Sequence, residues 1–412
     1  MTQPSTAAAP RNAAVIFIFI TVVLDVLALG IIVPVLPALV VEFLGGDTAR
    51  AAETYGLFAT TWAFMQFVAS PVLGSFSDRF GRRPIILLSI TGLGLDYIFM
   101  ALAPSIRWLF VGRLISGVTS AGFATAAAYI ADVTPADQRA KSFGLIGAAF
   151  GLGFVLGPAL GGLLGTYSPR LPFWVSAALC LTNALYGVFV LPESLPPERR
   201  AHFSWARANP VGSLRLLRSH PELFGLASVT FLYYVAHEVL PSTFVLYTGY
   251  RYGWNSATVG LTLALVGICT AAVSGGLVGP IVARIGERRA ALTGLAFGAA
   301  AFAMYGLAPT GSLFLAGVPV MALWGLYGPS SQGIMSKRVS SKEQGQLQGA
   351  VMGLRGLSGL ISPFIFTFTF ATFIGARADL HLPGAPFLLA SMLLVIAFFL
   401  ALRVTSRTAQ PV

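Results

Sequence analysis

The chain has 412 residues, 56% of them hydrophobic and only 10% charged, where a soluble domain carries about 25% charged residues, so no water-soluble fold can hide this much apolar surface. The formal net charge of +11 does not indicate nucleic acid, because the basic residues form no single patch interleaved with aromatics and instead occupy alternate loops. Apolar stretches of about 20 residues, the length that crosses a bilayer, recur throughout, so the chain reads as an all-α integral membrane protein with twelve transmembrane helices.

In chain order, Met1 to Pro10 is small, polar and uncharged. The apolar run that follows carries Asp25 and continues to Val41 with no small-residue cleavage pattern, which reads as a retained first span and not a signal peptide. Hydropathy and loop charge place spans at 14–40, 54–74, 84–103, 108–131, 141–165 and 171–191, then at 223–248, 257–282, 290–308, 312–335, 346–375 and 385–404. Between the two sets, Pro192 to Pro221 holds a Pro-Pro pair, Glu198-Arg199-Arg200 and the stretch Ser213 to Arg218, the composition of a cytoplasmic linker with a short amphipathic helix at the membrane surface. The domain reading is a six-helix bundle over 1–191, a linker over 192–222 and a second six-helix bundle over 223–412.

The two sets are related. Gly74-Ser-Phe-Ser-Asp78-Arg79-Phe-Gly81-Arg82-Arg83-Pro84 returns about 205 residues later as Gly279-Pro-Ile-Val-Ala283-Arg284-Ile-Gly286-Glu287-Arg288-Arg289, and Gly157-Pro158 returns as Ser362-Pro363. A motif repeated at half the chain length marks two pseudo-symmetric bundles, a design that serves alternating access to a site held between them. Of the 26 Lys and Arg residues, nineteen fall in loops on one side, Arg50, Arg107, Arg170, Arg251 and Arg377 fall on the other, and Arg113 and Arg355 lie inside spans. The positive-inside rule puts the first group, and with it both termini, in the cytoplasm of a cell whose inner (plasma) membrane the chain crosses many times. Span five is rich in glycine, and Pro158 within it serves either a hinge or close packing.

With the basic turn, Gly112-Arg113-Leu-Ile-Ser-Gly117 in span four and Gly153-Phe-Val-Leu-Gly157-Pro158-Ala-Leu-Gly-Gly162 in span five all in order, the chain resembles the major facilitator superfamily, and the last motif resembles the signature of its drug/proton antiporters. Leu24-Asp25, Val33-Pro-Val-Leu-Pro37, Gly94-Leu-Asp96-Tyr97, Ala128-Tyr-Ile-Ala-Asp132 and Gln344-Gly-Gln-Leu-Gln-Gly349 are similar to the tetracycline-resistance branch. The similarity spans nearly the whole chain. It departs from that branch at Gly298 and Thr270, where the branch has an intramembrane aspartate and a histidine, and at Glu238 and Arg355, where the branch is neutral. Gly353-Leu-Arg355-Gly-Leu357 and Pro383-Gly-Ala-Pro-Phe387 look more like the hippocampus-abundant-transcript group.

An ionisable group at mid-bilayer costs at least about 2.5 kcal/mol, so each one inside a span is a functional candidate. A carboxylate whose arginine partner comes and goes can load and release a proton, while arginine stays charged and is the fixed partner. Asp25 and Arg113 are the expected pair, either proton-coupling or a static ion pair, with Asp96 tuning the site. Glu238 and Arg355, with Gln66, Tyr234, Trp324 and Gln332, are the expected substrate contacts; His237 reads as a packing residue. The resemblance implies that Gly74, Asp78, Arg79, Gly81 and Arg82, with Asp132 and the Gly157-Pro158 kink, form a gate. In it Asp78 caps a neighbouring helix and Arg82 binds Asp132, unless the arginines serve topology alone.

The function expected is a proton-coupled drug antiporter exporting a small amphipathic compound, tetracycline-like or multidrug, with proton-coupled import of a metabolite, sugar or organic anion as the alternative. Its partners are then the small-molecule substrate, protons and the lipid bilayer, and the expected working state is a monomer. No phosphate-binding Gly-x-x-x-x-Gly-Lys-[Ser/Thr] loop is present, His202, His220, His237 and His381 lack metal-ligand spacing, and Cys180 and Cys269 lie far apart within spans. An enzyme, a cofactor, a metal and a disulfide are therefore not expected.

Overall fold

The computed structural model describes residues 11–120, 122–135, 138–201, 203, 221–340 and 343–406. The amphipathic helix expected within the linker lies outside the described residues. Among those described the ordered elements are helices, with no strand, because only a helix or a closed barrel satisfies its own backbone within lipid. Among the described residues eleven stretches are long and apolar enough to cross a membrane, and one of them, Ser256–Leu307, has 52 residues. At 1.5 Å per residue that is about 78 Å, more than twice a hydrocarbon core of about 30 Å. It breaks at Gly286, whose φ of 79° and ψ of 157° lie outside the helical region, so it holds two spans and the expected total of twelve is recovered.

The first six spans are α1 (Arg11–Ile32) with α2 (Leu36–Phe43), α3 (Thr48–Phe80), α4 (Arg82–Ala101), α5 (Ile106–Thr119) with α6 (Gly122–Val133), α7 (Arg139–Tyr167) and α8 (Leu171–Val190). The second six are α9 (Pro221–His237) with α10 (Val239–Tyr252), α11 (Ser256–Ala272), α12 (Val278–Leu307), α13 (Gly311–Ala322) with α14 (Tyr327–Ser336), α15 (Gln344–Ile374) and α16 (Ala385–Ser406). Span one is interrupted at Val33 to Val35, around Pro34, and span seven at Glu238, 205 positions on from Val33 and three residues before Pro241. Proline has no N–H and its ring collides with the carbonyl four residues back, which is why both helices fail there. Spans four and ten are interrupted at equivalent positions too, at Ser120 and in the 3-10 turn Leu323–Leu326.

The chain divides into two compact units. One gathers the segment up to Ile32, Met65–Gly157 and the segment from Arg170; the other gathers Val33–Phe64, Pro158–Pro169 and the second half of the chain. In the first, α4 and α1 pack on α8 and α4 on α5; in the second, α12 and α9 pack on α16 and α12 on α13. These are the same pairs of spans in each half, so the repeat read in the basic turn is also a repeat of packing.

Polar side chains fasten the helices where lipid offers no competing partner. In the first unit Asn183 Nδ2 donates to the Thr21 carbonyl at 2.9 Å and Ser176 Oγ to the Ala28 carbonyl at 2.8 Å. In the second, Tyr247 OH donates to the Tyr305 carbonyl at 2.9 Å, and the Tyr305 and Phe314 rings stack 4.1 Å apart.

Candidate functional site

The basic turn joins α3 to α4 through Gly81, whose φ of 106° and ψ of 158° belong to a region open essentially to glycine alone. A side chain there would also lie 2.3 Å from Glu193 Oε2. Glu193 holds that place because its carboxylate caps α4: Oε1 accepts from the Arg82 N–H at 2.9 Å and Oε2 from the Arg83 N–H at 3.3 Å. A negative group at a helix N-terminus satisfies orphan donors and meets the positive end of the dipole. The capping role expected of Asp78 is taken by Glu193, which lies 111 residues from Arg82 in the chain and follows the Leu-Pro that ends span six.

Arg82 is the hub of the turn. Its Nη1 lies 2.6 Å from Asp78 Oδ1 and its Nε 3.0 Å from Asp132 Oδ2, with the Arg82 side chain only 11% exposed. Nη1 also donates to Ser77 Oγ at 2.6 Å, and Ser194 Oγ donates to Asp132 Oδ2 at 3.2 Å. The Arg82 to Asp132 link is the one read from the sequence. Arg79 instead turns its guanidinium onto the Phe80 ring, 5.1 Å from the centroid, and the Gly74 carbonyl accepts from Ser77 Oγ at 2.7 Å.

The second half repeats this frame with its charges exchanged. Gly286 stands where Gly81 does and adopts nearly the same backbone angles. The next residue, Glu287, pairs through Oε1 with Lys337 Nζ at 2.8 Å. Glu287 and Lys337 are 205 positions on from Arg82 and Asp132, so the same link is made with the signs reversed. The inversion also explains Ala283: an aspartate at that place, as at Asp78, would face Glu287 and repel it.

Inside the first unit, Asp25 on α1 borders a space of about 20 Å³ shared with Thr21, Ser89, Gly122 and Ala126, enough for about one water molecule. Its Oδ1 is buried without a hydrogen-bond partner, and no described basic group reaches it within 4 Å. The Asp25–Arg113 ion pair expected from the sequence is therefore not closed in this structure. The acid beside Arg113 is Asp96: it lies in that guanidinium's field, and a side chain on the neighbouring Gly112 would come 3.3 Å from Asp96 Oδ1. The packing gives the reason, since α4, which carries Asp96, lies on α5, whereas α1 lies on α6 and α8. Tyr97 lies within the field of Asp25, Asp96 and Arg113 together.

The equivalent place in the second unit is filled. Thr230 replaces Asp25, and Tyr327 and Ser331 replace Gly122 and Ala126. The Thr230 hydroxyl bonds with Tyr327 OH at 2.9 Å and with Ser331 Oγ at 3.3 Å. One half thus keeps an acid beside a water-sized space, and the other seals the site with a phenol and two hydroxyls.

The expected substrate residues fall in two places. Gln66 is half-buried on α3 in the first unit. In the second, α9 packs on α15, and Arg355 lies within electrostatic reach of Tyr233, Tyr234, His237 and Glu238 without an ion pair to Glu238. The Tyr233 ring centroid lies 4.7 Å from Trp324 and 4.5 Å from Tyr327, and His237 lies 5.6 Å from Trp324. Gln332 is half-buried on α14. A larger cavity of about 350 Å³ in the second unit, lined by residues such as Pro34, Thr48, Tyr250 and Trp254, holds none of the expected residues.

The glycines of span five act by proximity. A side chain at Gly157 would lie 2.7 Å from Gly30 Cα in the first unit. Within the second, one at Gly260 would lie 2.2 Å from the Pro158 carbonyl oxygen, and one at Gly162 only 2.3 Å from the Ser256 carbonyl oxygen. Only glycine permits backbones to approach so closely.

The Major Facilitator Superfamily profile matches residues 18–363 and 226–411. The chain is 38% identical over 360 residues to the tetracycline resistance protein, class C, of Escherichia coli, covering 87% of this chain and 90% of that protein. It is 27% identical to the human hippocampus abundant transcript-like protein 1, covering 84% and 72%. Its fold matches a bacterial homolog of the human lysosomal transporter Spinster in an inward-facing and occupied conformation, with a TM-score of 0.77 at 16% identity over 97% of this chain and 98% of that one. With twelve spans, a repeated glycine-linked turn and these likenesses, the chain belongs to the Major Facilitator Superfamily, in the branch of the tetracycline resistance proteins.

Proposed function

We propose that the protein is a proton-coupled antiporter that exports a small amphipathic compound, tetracycline-like or multidrug, across the cytoplasmic membrane by alternating access. The observation that carries this reading is the Asp25 site: an acid within a span, with no counter-ion among the described residues, beside a space that fits one water and is bordered by the Thr21 and Ser89 hydroxyls. Such a group can take a proton from one side and lose it to the other when the bundle reorients. Asp96 lies in the field of Arg113, and Tyr97 lies in the field of Asp25, Asp96 and Arg113 together. The likeness to a tetracycline resistance protein supports export, since a membrane transporter lowers the amount of a compound in the cell by carrying it out.

In this reading the two halves, 1–191 and 223–412, rock about the substrate, with the termini and the linker in the cytoplasm. The Arg82 hub closes the cytoplasmic edge, and Glu238, Arg355, Tyr234, Trp324, Gln66 and Gln332 contact the compound. The chain works as a monomer. Asp25→Asn removes the proton site but not the path. Everted vesicles carrying it retain downhill exchange of tetracycline and lose accumulation driven by a proton gradient. Full gradient-driven accumulation by Asp25→Asn overturns the assignment.

A further inference from the structure

Arg355 keeps its charge at every working pH and lies within α15, where an ionised side chain is strongly disfavoured without a counter-ion. No described carboxylate comes within 4 Å of it, and the residue is exposed rather than sealed among neighbours. Its surroundings are the aromatic face of α9, with Tyr233, Tyr234 and His237, and the carboxylate of Glu238 within reach but not in contact.

A second group in the same cluster also lacks a partner. Trp324 is 4% exposed, its ring lies against Tyr233 and His237, and its indole N–H has no hydrogen-bond acceptor. Buried donors are nearly always satisfied, and both the guanidinium and the indole N–H donate without accepting. The buried indole N–H lacks an acceptor, and the exposed guanidinium is open to one from a ligand. For Arg355 the matching acceptor is an anion whose paired oxygens fit the guanidinium fork. The rings offer flat apolar faces for the rest of such a molecule. The backbone is also irregular here, since span seven breaks at Glu238 and span ten tightens into a 3-10 turn at Trp324, the kind of interruption that borders ligand sites in transporters.

We propose that this cluster binds the acidic group of an amphipathic organic anion, a carboxylate or sulfonate held by Arg355, with Tyr233, Tyr234 and Trp324 against its apolar body. The inference rests on the reading of the protein as an exporter of amphipathic compounds and names their class.

The test uses purified full-length protein in nanodiscs and three naphthalene probes that share a ring and differ in head group: a sulfonate, a neutral alcohol and a trimethylammonium. Affinities are measured by equilibrium dialysis with no proton gradient, so the result does not depend on coupling. The wild-type protein is expected to bind the sulfonate about tenfold or more tighter than the alcohol, and the trimethylammonium weakest. Arg355→Gln is expected to remove that preference while alcohol binding shifts less than about threefold, and Arg355→Lys to keep part of it. A wild-type protein that binds the three probes equally, prefers the cation or binds none overturns the proposal. So does an Arg355→Gln protein that keeps the sulfonate preference or weakens all three probes alike. Proton-driven export in vesicles, with any result here, separately decides the exporter reading.

Discussion

If the second half makes the Arg82–Asp132 link with opposite charges, then its charges must work in the first half. Arg82→Glu alone sets a carboxylate against both Asp78 and Asp132, whose oxygens now lie 2.6 and 3.0 Å from the guanidinium. An exposed pair is worth at most about 1 kcal/mol, and breaking a fully buried pair costs about 3 to 5. The Asp78 and Asp132 side chains are 41% and 25% exposed, so we place the loss near the lower figure, about 1 to 2 kcal/mol. That shifts the population of the closed gate about 5- to 30-fold. Arg82→Glu with Asp132→Lys mends one contact and leaves Asp78 facing the new glutamate. Adding Asp78→Ala copies Ala283, Glu287 and Lys337, and Glu193 is untouched because it holds main-chain N–H groups. Initial rates of tetracycline accumulation in everted vesicles, corrected for the amount of protein inserted, should fall about tenfold in the single variant, recover little in the double and return to within about threefold of wild type in the triple. A triple variant no better than the single refutes the exchange of signs. Full recovery in the double refutes the explanation offered for Ala283.

Two further substitutions follow from glycine geometry. Gly81→Ala and Gly286→Ala share a backbone strain of about 1 to 3 kcal/mol, but only the first also drives a methyl against Glu193 Oε2, and the space around Gly286 is empty. Gly81→Ala should therefore lower the unfolding temperature and the transport rate more than Gly286→Ala; equal effects would mean that the Glu193 cap is not held at Gly81. Gly260→Ala collides with the Pro158 carbonyl oxygen and should part α7 from α11. A Ser256→Cys reporter, in a protein with Cys180 and Cys269 replaced, should then react faster with a water-soluble thiol reagent, and an unchanged rate would show that the contact tolerates a methyl group.

The spans and the basic turn were legible in the sequence because hydropathy and loop charge follow directly from the bilayer. The interruptions at Pro34 and Glu238 were legible in principle, since Pro34, Pro37 and Pro241 mark them. Contacts between distant segments were not. Glu193 caps α4 from the end of span six, and no local pattern connects Glu193 to Gly81. The neighbour of Arg113 depended on which helix lies on α5, and that is α4 with Asp96 rather than α1 with Asp25. Lys337 was hidden for another reason: comparison of the turns alone shows Glu287 as a lost arginine, and only the register of span ten, which Lys337 follows, reveals a lysine opposite it. The unequal interiors were hidden likewise, because Gly122 and Tyr327 matter only once their helices face Asp25 and Thr230.

The central claim, that an exported compound moves against protons, is tested most directly by purified protein in liposomes enclosing a pH-sensitive dye, with tetracycline added on one side and no other energy source. The account predicts proton movement opposite to the drug that starts on its addition, saturates with its concentration and is absent with Asp25→Asn. Drug movement with no proton flux, or with protons travelling in the same direction, would contradict it.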